Sequence, residues 1–322
     1  MKKIAILTSG GDAPGMNNAV RSIVKTALAK GMEPYLVYEG YYGLHSGNIK
    51  LATEVNVDQY IAKGGTFIYS ARFPEFKNPK IRLEAKKQLD NLGIEALVVI
   101  GGDGSYYGAQ LLHEIGVKTM GLPGTIDNDI TSSEFTIGFD TALNSIVENV
   151  DRIRDTMESH NRAAVVEVMG HGSGDLALFA GLATGAEVVV TSENIKSPKE
   201  IASIVKKQIK EMGKRSVIII VSELIYDNLD KLSKTIEEFS GVVTRGMSLS
   251  HLQRGGVPTA MERVNSSLMG IKAVEYLIKG ESGLAIGILN GKFTGTPILE
   301  ALALPREDRH KFANIVNDLN QS

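Results

Sequence analysis

The sequence predicts an α/β protein in which mainly parallel sheets are covered by helices on both faces. Three observations lead there: short β-branched runs recur along the 322 residues, helical patterns separate most of them, and glycine-rich loops follow several. Strand-like runs occupy residues 4–8, 34–38, 96–100, 118–122, 163–169, 188–191, 217–222 and 285–289. Helical periodicity predicts helices over 16–30, 78–92, 105–115, 141–160, 198–212 and 262–279. No Pro/Ser-rich linker divides the chain, so the long helix at 141–160 is the expected hinge between two lobes.

The loops share a chemistry. The run at 4–8 ends in Ser9-Gly10-Gly11-Asp12, the run at 96–100 in Gly101-Gly102-Asp103-Gly104-Ser105, and the run at 118–122 in Pro123-Gly124-Thr125-Ile126-Asp127-Asn128-Asp129. The run at 163–169 is followed by Gly170-His171-Gly172-Ser173-Gly174-Asp175. In open α/β sheets ligands bind beyond the carboxyl ends of the strands, so these loops mark the working edge.

Composition narrows the function. With 43% hydrophobic and 22% charged residues the chain can bury a sizeable core, and 35 Lys plus Arg against 37 Asp plus Glu give a net charge of -2. That balance supplies no broad pull toward nucleic acid or an anionic membrane. The absence of cysteine removes disulfides, thiol nucleophiles and cysteine-ligated zinc, and fits a cytoplasmic location. The apolar run at 4–7 is too short for a signal peptide, and no stretch approaches the roughly 20 apolar residues of a membrane span. The six histidines show no metal-ligand spacing, and no Gly-x-Ser-x-Gly nucleophile elbow is present.

What remains points to phosphate. Thirty-four glycines, clustered after strands, suit backbone amides that approach an anion at a helix N-terminus. Gly10 to Asn17 carries two glycines at P-loop spacing, but Met16-Asn17 replaces Lys-Ser/Thr, so it is not a Walker A motif. Gly101 to Gly108 misses the dinucleotide pattern by one residue, which disfavours a nicotinamide cofactor. Asp103, among glycines beside Ser105, suits the Mg²⁺ of a nucleotide, since Mg²⁺ takes one or two protein carboxylates plus phosphate oxygens; a helix N-cap is its plainer role. Asp127 and Asp129 offer a proton acceptor for a hydroxyl attacking a γ-phosphate, though alone the segment also reads as an Asx turn, and the residues leave open which carboxylate acts. Arg72, Arg162, Arg245 and Arg254, in or beside loops, could supply bidentate phosphate contacts, while each alone also suits a solvated surface charge.

Taken together, Gly10 to Asn17, Gly64-Gly65-Thr66 with Ser70-Ala71-Arg72, Gly101 to Ser105, Pro123 to Asp129 and His251-Leu252-Gln253-Arg254-Gly255-Gly256 resemble the bacterial ATP-dependent 6-phosphofructokinase family, in order and spacing through about residue 290. The resemblance implies two Rossmann-like lobes: an ATP-binding lobe of residues 1–138 plus 251–304 and a sugar-phosphate lobe of 139–250 plus 305–322. It implies that Asp127 takes the proton from the 1-hydroxyl of fructose 6-phosphate, in the committed step of glycolysis, with Thr125 and Asp129 ordering the loop. Asp103 would hold Mg²⁺; Gly11, Arg72, Phe73, Gly102, Gly104, Ser105 and Gly108 would line the ATP site, and Arg72 would also stabilise the moving phosphoryl. Thr125, Ile126, Met169, Gly170, His171, Glu223, His251, Leu252, Gln253 and Arg254 would meet the sugar phosphate, with Arg162 and Arg245 reaching in from a neighbouring subunit of a homotetramer.

Donor and regulation follow from the same resemblance. Pyrophosphate-using relatives carry Asp and Lys where this chain has Gly104 and Gly124, so the small residues favour ATP. An effector site for ADP or phosphoenolpyruvate would draw on Arg21, Lys25, Arg154, Gly185, Glu187 and Lys214, with Met212 where a basic residue is usual and Gln59 where an Asp is usual. His171 stands where the family has an arginine on the transferring phosphate, and a neutral imidazole supplies less positive charge. The competing readings are a catalytically weakened sensor of the same fold, against which Asp103 and Asp127 argue, and other Gly-Gly-Asp-Gly kinases, which need neither the Asp127 loop nor Gln253 to Gly256.

Overall fold

The computed structural model describes Met1–Gln321. In chain order the strands are β1 (Lys3–Thr8), β2 (Glu33–Val37), β3 (Ile49–Leu51), β4 (Ala96–Gly101), β5 (Lys118–Thr125), β6 (Ile137–Gly138), β7 (Ala163–Val168), β8 (Val188–Val190), β9 (Val217–Ser222), β10 (Thr244–Ser248), β11 (Leu284–Leu289) and β12 (Lys292–Pro297). The helices are α1 (Met16–Ala29), α2 (Gly40–Ser46), α3 (Pro79–Leu92), α4 (Asp103–Glu114), α5 (Phe139–His160), α6 (Asp175–Thr184), α7 (Pro198–Lys206), α8 (Leu229–Ser240), α9 (Ala260–Ile278), α10 (Ile298–Ala303) and α11 (His310–Gln321).

The chain forms two compact units. The first comprises Met1–Ile126, Ile130–Thr141 and Arg254–Arg306; the second comprises Asp127–Asp129, Ala142–Gln253 and Glu307 onward.

The first unit is built on one sheet of order β12-β11-β5-β4-β1-β2-β3, with β6 paired to β5. Its centre is parallel, while the edge pairs β2–β3 and β11–β12 are antiparallel. Strand alternation divides its apolar residues between two faces. Ala5, Leu7, Leu97 and Val99 pack with Ala85 and Leu89 of α3 and with Tyr106, Ala109 and Leu112 of α4. Ile4, Ile6, Val98 and Ile100, equally buried, belong to the other face, where α1 and α9 pack on each other. That helix pair approaches so closely that a Cβ at Gly270 would lie 2.1 Å from the Ser22 hydroxyl, so only glycine fits there.

The second unit has an all-parallel sheet of order β10-β7-β9-β8. Ala163, Val165, Val190, Ile219 and Val221 face Ile201 and Val205 of α7 and Leu232 and Ile236 of α8. Helices α6 and α11 contact β8, and the α11 side chain Asn317 both accepts from Val189 N, at 2.9 Å, and donates to Val189 O, at 3.0 Å. A buried amide thereby satisfies the open edge of β8.

The sequence-predicted core elements are present with shifted ends; the helix expected over 198–212 is α-helical to Lys206 and finishes as a π-helix over Lys207–Glu211. Strands β3, β10 and β12 carry no β-branched apolar run because each lies at a sheet edge and is only partly buried. Helix α6 escapes 3.6-residue periodicity because its sequence is apolar nearly all round.

Candidate active site

Strands β5, β4 and β1 are parallel neighbours, so the loops after them leave one edge of the first unit's sheet side by side. Each loop is shaped by close backbone approach. After β1, Ser9 donates its N–H to Ile100 O at 2.9 Å, Gly10 adopts φ 85°, and Gly15 opens α1 at φ 99°, a left-handed conformation that glycine alone takes without strain. After β4, a Cβ at Gly101 would lie 2.4 Å from both the Ser105 hydroxyl and Ser9 O. The two phosphate-type loops therefore lie close together, and Gly101 tolerates no side chain at that point.

Asp103 is the first residue of α4, with Gly102 as N-cap, so it does not play the capping role that its loop also suggested. Its side chain is exposed, next to Gly104, which has open space around it. Ser105 and Gly108 face inward: Tyr41 donates its hydroxyl to Ser105 O at 2.6 Å, and a Cβ at Gly108 would meet the Tyr41 ring at 2.7 Å. The positive dipole end of α4 thus lies at Gly102–Ser105, a natural seat for an anion.

The segment from Lys63 to Arg72 is laced onto the β1 loop. Asn17 donates to Lys63 O and accepts from Phe67 N, both at 2.9 Å; Thr8 donates to Tyr69 O at 2.9 Å; Ser70 donates to Gly10 O at 2.6 Å. These contacts bring exposed Arg72 to the glycine loop, with half-buried Phe73 against Tyr42 and His45, ring centroids 5.6 Å away in each case. Arg254 joins the same cluster through Nη1, which donates to Asp12 O at 3.1 Å, and Gly11 leaves room for it.

Thr125 closes β5 against β6, where it pairs with Gly138 and its carbonyl accepts from the Thr136 hydroxyl at 2.6 Å. Ile126 is fully buried and Asp127 is buried at 7% exposure, whereas Asp129 is half-buried. In the second unit Asn128, at φ 52°, donates Nδ2 to Asp175 Oδ2 at 2.8 Å, and Asp175 also pairs with Arg309 Nε at 3.5 Å. Asp175 and Arg309 were not among the sequence-predicted site residues; Asp175 could have been found as the carboxylate closing the Gly170 loop, while nothing local marks Arg309.

Beyond β7, Met169, Gly170 and His171 form a tight turn whose N–H groups converge on two side chains. Gln253 Oε1 accepts from Met169 N at 3.0 Å, and Glu223 Oε1 accepts from Gly170 N at 3.1 Å and His171 N at 2.8 Å. His251 and Leu252 are exposed on the neighbouring turn. Arg162 and Arg245 are elsewhere: Arg162 precedes β7, and Arg245 pairs with Ala164 near the start of that strand. Five residues of parallel strand, roughly 16 Å, separate this end from Met169.

The predicted effector residues form two charge clusters, one per unit. Arg21 Nε and Lys25 Nζ each lie 2.6 Å from the Asp58 carboxylate. In the second unit, buried Glu187 meets Arg154 at 3.4 Å and Lys214 at 3.3 Å, and Arg154 also donates to Thr184 O and Gly185 O. Met212 is exposed beside this unit's Lys214 turn.

Comparison with known proteins adds an independent line. The family described as phosphofructokinase matches residues 3–277. The chain is 60% identical to the ATP-dependent 6-phosphofructokinase of Mycoplasma mobile, covering 100% of this chain and 99% of that protein. It is 57% identical to the enzyme of the same name from Mycoplasmopsis pulmonis, over the full length of both. Among solved structures, the phosphofructokinase of Saccharomyces cerevisiae superposes with a TM-score of 0.87 at 35% identity, covering 100% of this chain and 47% of the yeast chain. This chain thus spans about half the length of that yeast subunit.

Proposed function

Because this chain belongs to the phosphofructokinase family, we infer that it transfers the γ-phosphoryl group of ATP to the 1-hydroxyl of fructose 6-phosphate, giving fructose 1,6-bisphosphate and ADP in glycolysis. One observation carries the reading furthest: two glycine loops and the strand leading into Asp127 leave three adjacent parallel strands at the same edge.

In this reading Gly11, Gly102, Ser105 and Gly108 line the ATP site, and Gly104, with open space around it, leaves room for the α-phosphate that pyrophosphate lacks. Phe73 flanks the nucleotide. Asp103 fits a magnesium ion: its carboxylate is exposed in the first turn of α4, and among the described residues no cluster of three His, Cys, Asp or Glu forms a protein-only cage. When bound, the ion would neutralise charge on the phosphate oxygens.

Asp127 takes the proton from the attacking hydroxyl; its burial keeps bulk water from competing as proton acceptor. Thr125 and Asp129 order that loop, and Arg72 meets the negative charge developing on the moving phosphoryl group. Ile126, Met169, Gly170, Glu223, His251, Leu252, Gln253 and Arg254 position the acceptor, with Glu223 and Gln253 holding the backbone amides of the 169–171 turn. His171 takes a place beside the transferring phosphate.

Arg162 and Arg245 bind the sugar phosphate of a neighbouring subunit in a homotetramer. Their position at the strand end opposite Met169 supports this, since they are remote from their own chain's Met169 turn. Arg21, Lys25, Arg154, Gly185, Glu187, Met212 and Lys214 contribute to an effector site for ADP or phosphoenolpyruvate. The chain works in the cytoplasm, a reading supported by its lack of cysteine.

The test is direct. Purified protein is offered fructose 6-phosphate with Mg-ATP or with Mg-pyrophosphate, and fructose 1,6-bisphosphate is measured beside an Asp127→Ser control. Product from ATP, at least a hundredfold less in the control, is expected. A sensor of the same fold would bind both ligands in calorimetry yet form no product, and that result would overturn the reading.

A further inference from the structure

Glu262 is 3% exposed near the start of α9, three residues after Thr259. Thr259 caps the helix by accepting from Glu262 N at 3.1 Å. The Glu262 carboxylate, however, turns away from its own helix start. It accepts from Thr141 N and from the Thr141 hydroxyl, both at 3.3 Å. The exchange is reciprocal, because Thr259 N donates to the Thr141 hydroxyl at 3.3 Å and the Thr259 hydroxyl donates to Asp140. Two helix N-termini, whose first N–H groups take no partner within their own helix turns, are thus tied by a carboxylate 121 residues distant in sequence.

The same side chain reaches the β1 loop. A Cβ at Gly15 would lie 2.9 Å from Glu262 Cγ, so glycine there makes space for the acid. Gly138 is tight as well, with its Cβ position 2.6 Å from Ala13 Cβ. Gly138 also pairs with Thr125, two residues before Asp127. One buried carboxylate therefore fastens the β6–α5 junction, abuts the turn into α1 and sits at the root of the helix that follows Arg254.

We propose that Glu262 is a positioning residue for phosphoryl transfer: its ionised carboxylate fixes Thr141 in the first turn of α5, and through the Gly138–Thr125 pairing just ahead of that turn the point where the Asp127 loop leaves the sheet. This rests on the reading of Asp127 given above. The ionised form accepts from Thr141 N and from the Thr141 and Ser266 hydroxyls, whereas the protonated form must give one oxygen to an O–H. Burial pushes this carboxyl up to about 7, against the pull of the Gly138 and Thr141 donors. Of the groups facing it, Asp140 on α5 is charged and adds to the rise; Gly15 of the α1 turn, Gly138, Thr141 and, on its own helix, Thr259 and Ser266 carry no charge. A cavity of about 220 Å³ bordered by Glu262, Asp140 and Asn265 gives the acid a route for proton exchange. Turnover consequently falls on the acid side of neutrality as Glu262 takes up a proton.

The experiment compares wild type, Glu262→Gln and Glu262→Asp as whole purified chains, recording kcat, KM and far-ultraviolet circular dichroism from about pH 6 to 9. The amide matches the carboxylate in shape but replaces one accepting oxygen with a donor. Expected are a folded Glu262→Gln with kcat at least tenfold down at high pH, KM for ATP within about threefold, and the acid-side fall of kcat abolished. Glu262→Asp retains that fall at a shifted pH. Wild-type kcat and pH profile in Glu262→Gln would overturn the proposal. Should that variant fail to fold, Glu262→Asp decides: a displaced acid limb supports the role, and an unmoved one removes it. A wild-type chain forming no product would instead sink the proposed activity, so the two failures are distinguishable.

Discussion

Replacing Gly11 by Ala tests the seating of Arg254. The new Cβ would lie 2.6 Å from Arg254 Nη1 and 3.2 Å from Cζ, whereas ordinary contact begins near 3.4 Å. The guanidinium must therefore retreat by about 0.8 Å, enough to lose its 3.1 Å bond to Asp12 O. Retreat is cheap for the fold, because the clashing atoms end a flexible side chain and Gly11 has no left-handed backbone to strain. Losing one partly exposed hydrogen bond costs about 1 kcal/mol, a shift of about 3 °C in the melting midpoint. Function should suffer more, since displacement of a substrate-orienting group by about 1 Å can cost up to a hundredfold. The expected fall in kcat/KM for fructose 6-phosphate is about 10- to 100-fold, or roughly 1.4–2.7 kcal/mol. A coupled assay on Gly11→Ala, Arg254→Ala and the double variant separates the causes: against Arg254→Ala, the alanine at 11 should add no further loss. A Gly11→Ala enzyme within twofold of wild type, or the same penalty in both backgrounds, would refute the argument.

Other outcomes follow from the same geometry. Gly104→Asp, placed in open space, should fold normally yet raise KM for ATP at least tenfold by occupying room for the α-phosphate; calorimetric titration with ATP checks it, and unaltered affinity would remove the donor argument. His171→Arg should raise turnover, and unchanged turnover would end the idea that a missing positive charge matters there. The Glu262 carboxyl, raised from 4.5 to about 7, favours the protonated fold. Its contribution is full below pH 4.5, declines as pH rises, and is gone above about pH 7, a loss of about 3 kcal/mol. Urea unfolding at pH 5 and pH 8 should show that slope in wild type and lack it in Glu262→Gln.

Much of the site was legible in the chain. Gly10, Gly101 and Asp103 stand directly after apolar strand runs, and a tight strand-to-helix turn declares itself through neighbouring residues, because its demand for glycine is local. Asp127 was marked out by its Pro-Gly approach and by resemblance, although the residues alone did not choose between it and Asp129. Asp175, Arg309 and Glu262 were missed for one shared reason: each acts on a partner many residues away. Thr259-Ala260-Met261-Glu262 has the spacing of a capping box, in which the acid would return to its own helix start. The box at Ser197–Glu200 does that, with both hydrogen bonds present. At Glu262 the acid goes instead to Thr141, a choice that no local pattern encodes.

The sequence by itself determined the alternation of strands and helices and the chemistry of the loops, since burial periodicity and turn geometry depend on residues close together in the chain. Tertiary structure decided which groups meet. It drew Arg254 onto Asp12 across 242 residues, put Arg162 and Arg245 at the far end of the strand that leads to Met169, and gave the Glu262 carboxylate to another helix. Buried polar groups take whichever partner the packing brings within 3 Å or so, and packing is settled by contacts far apart in sequence.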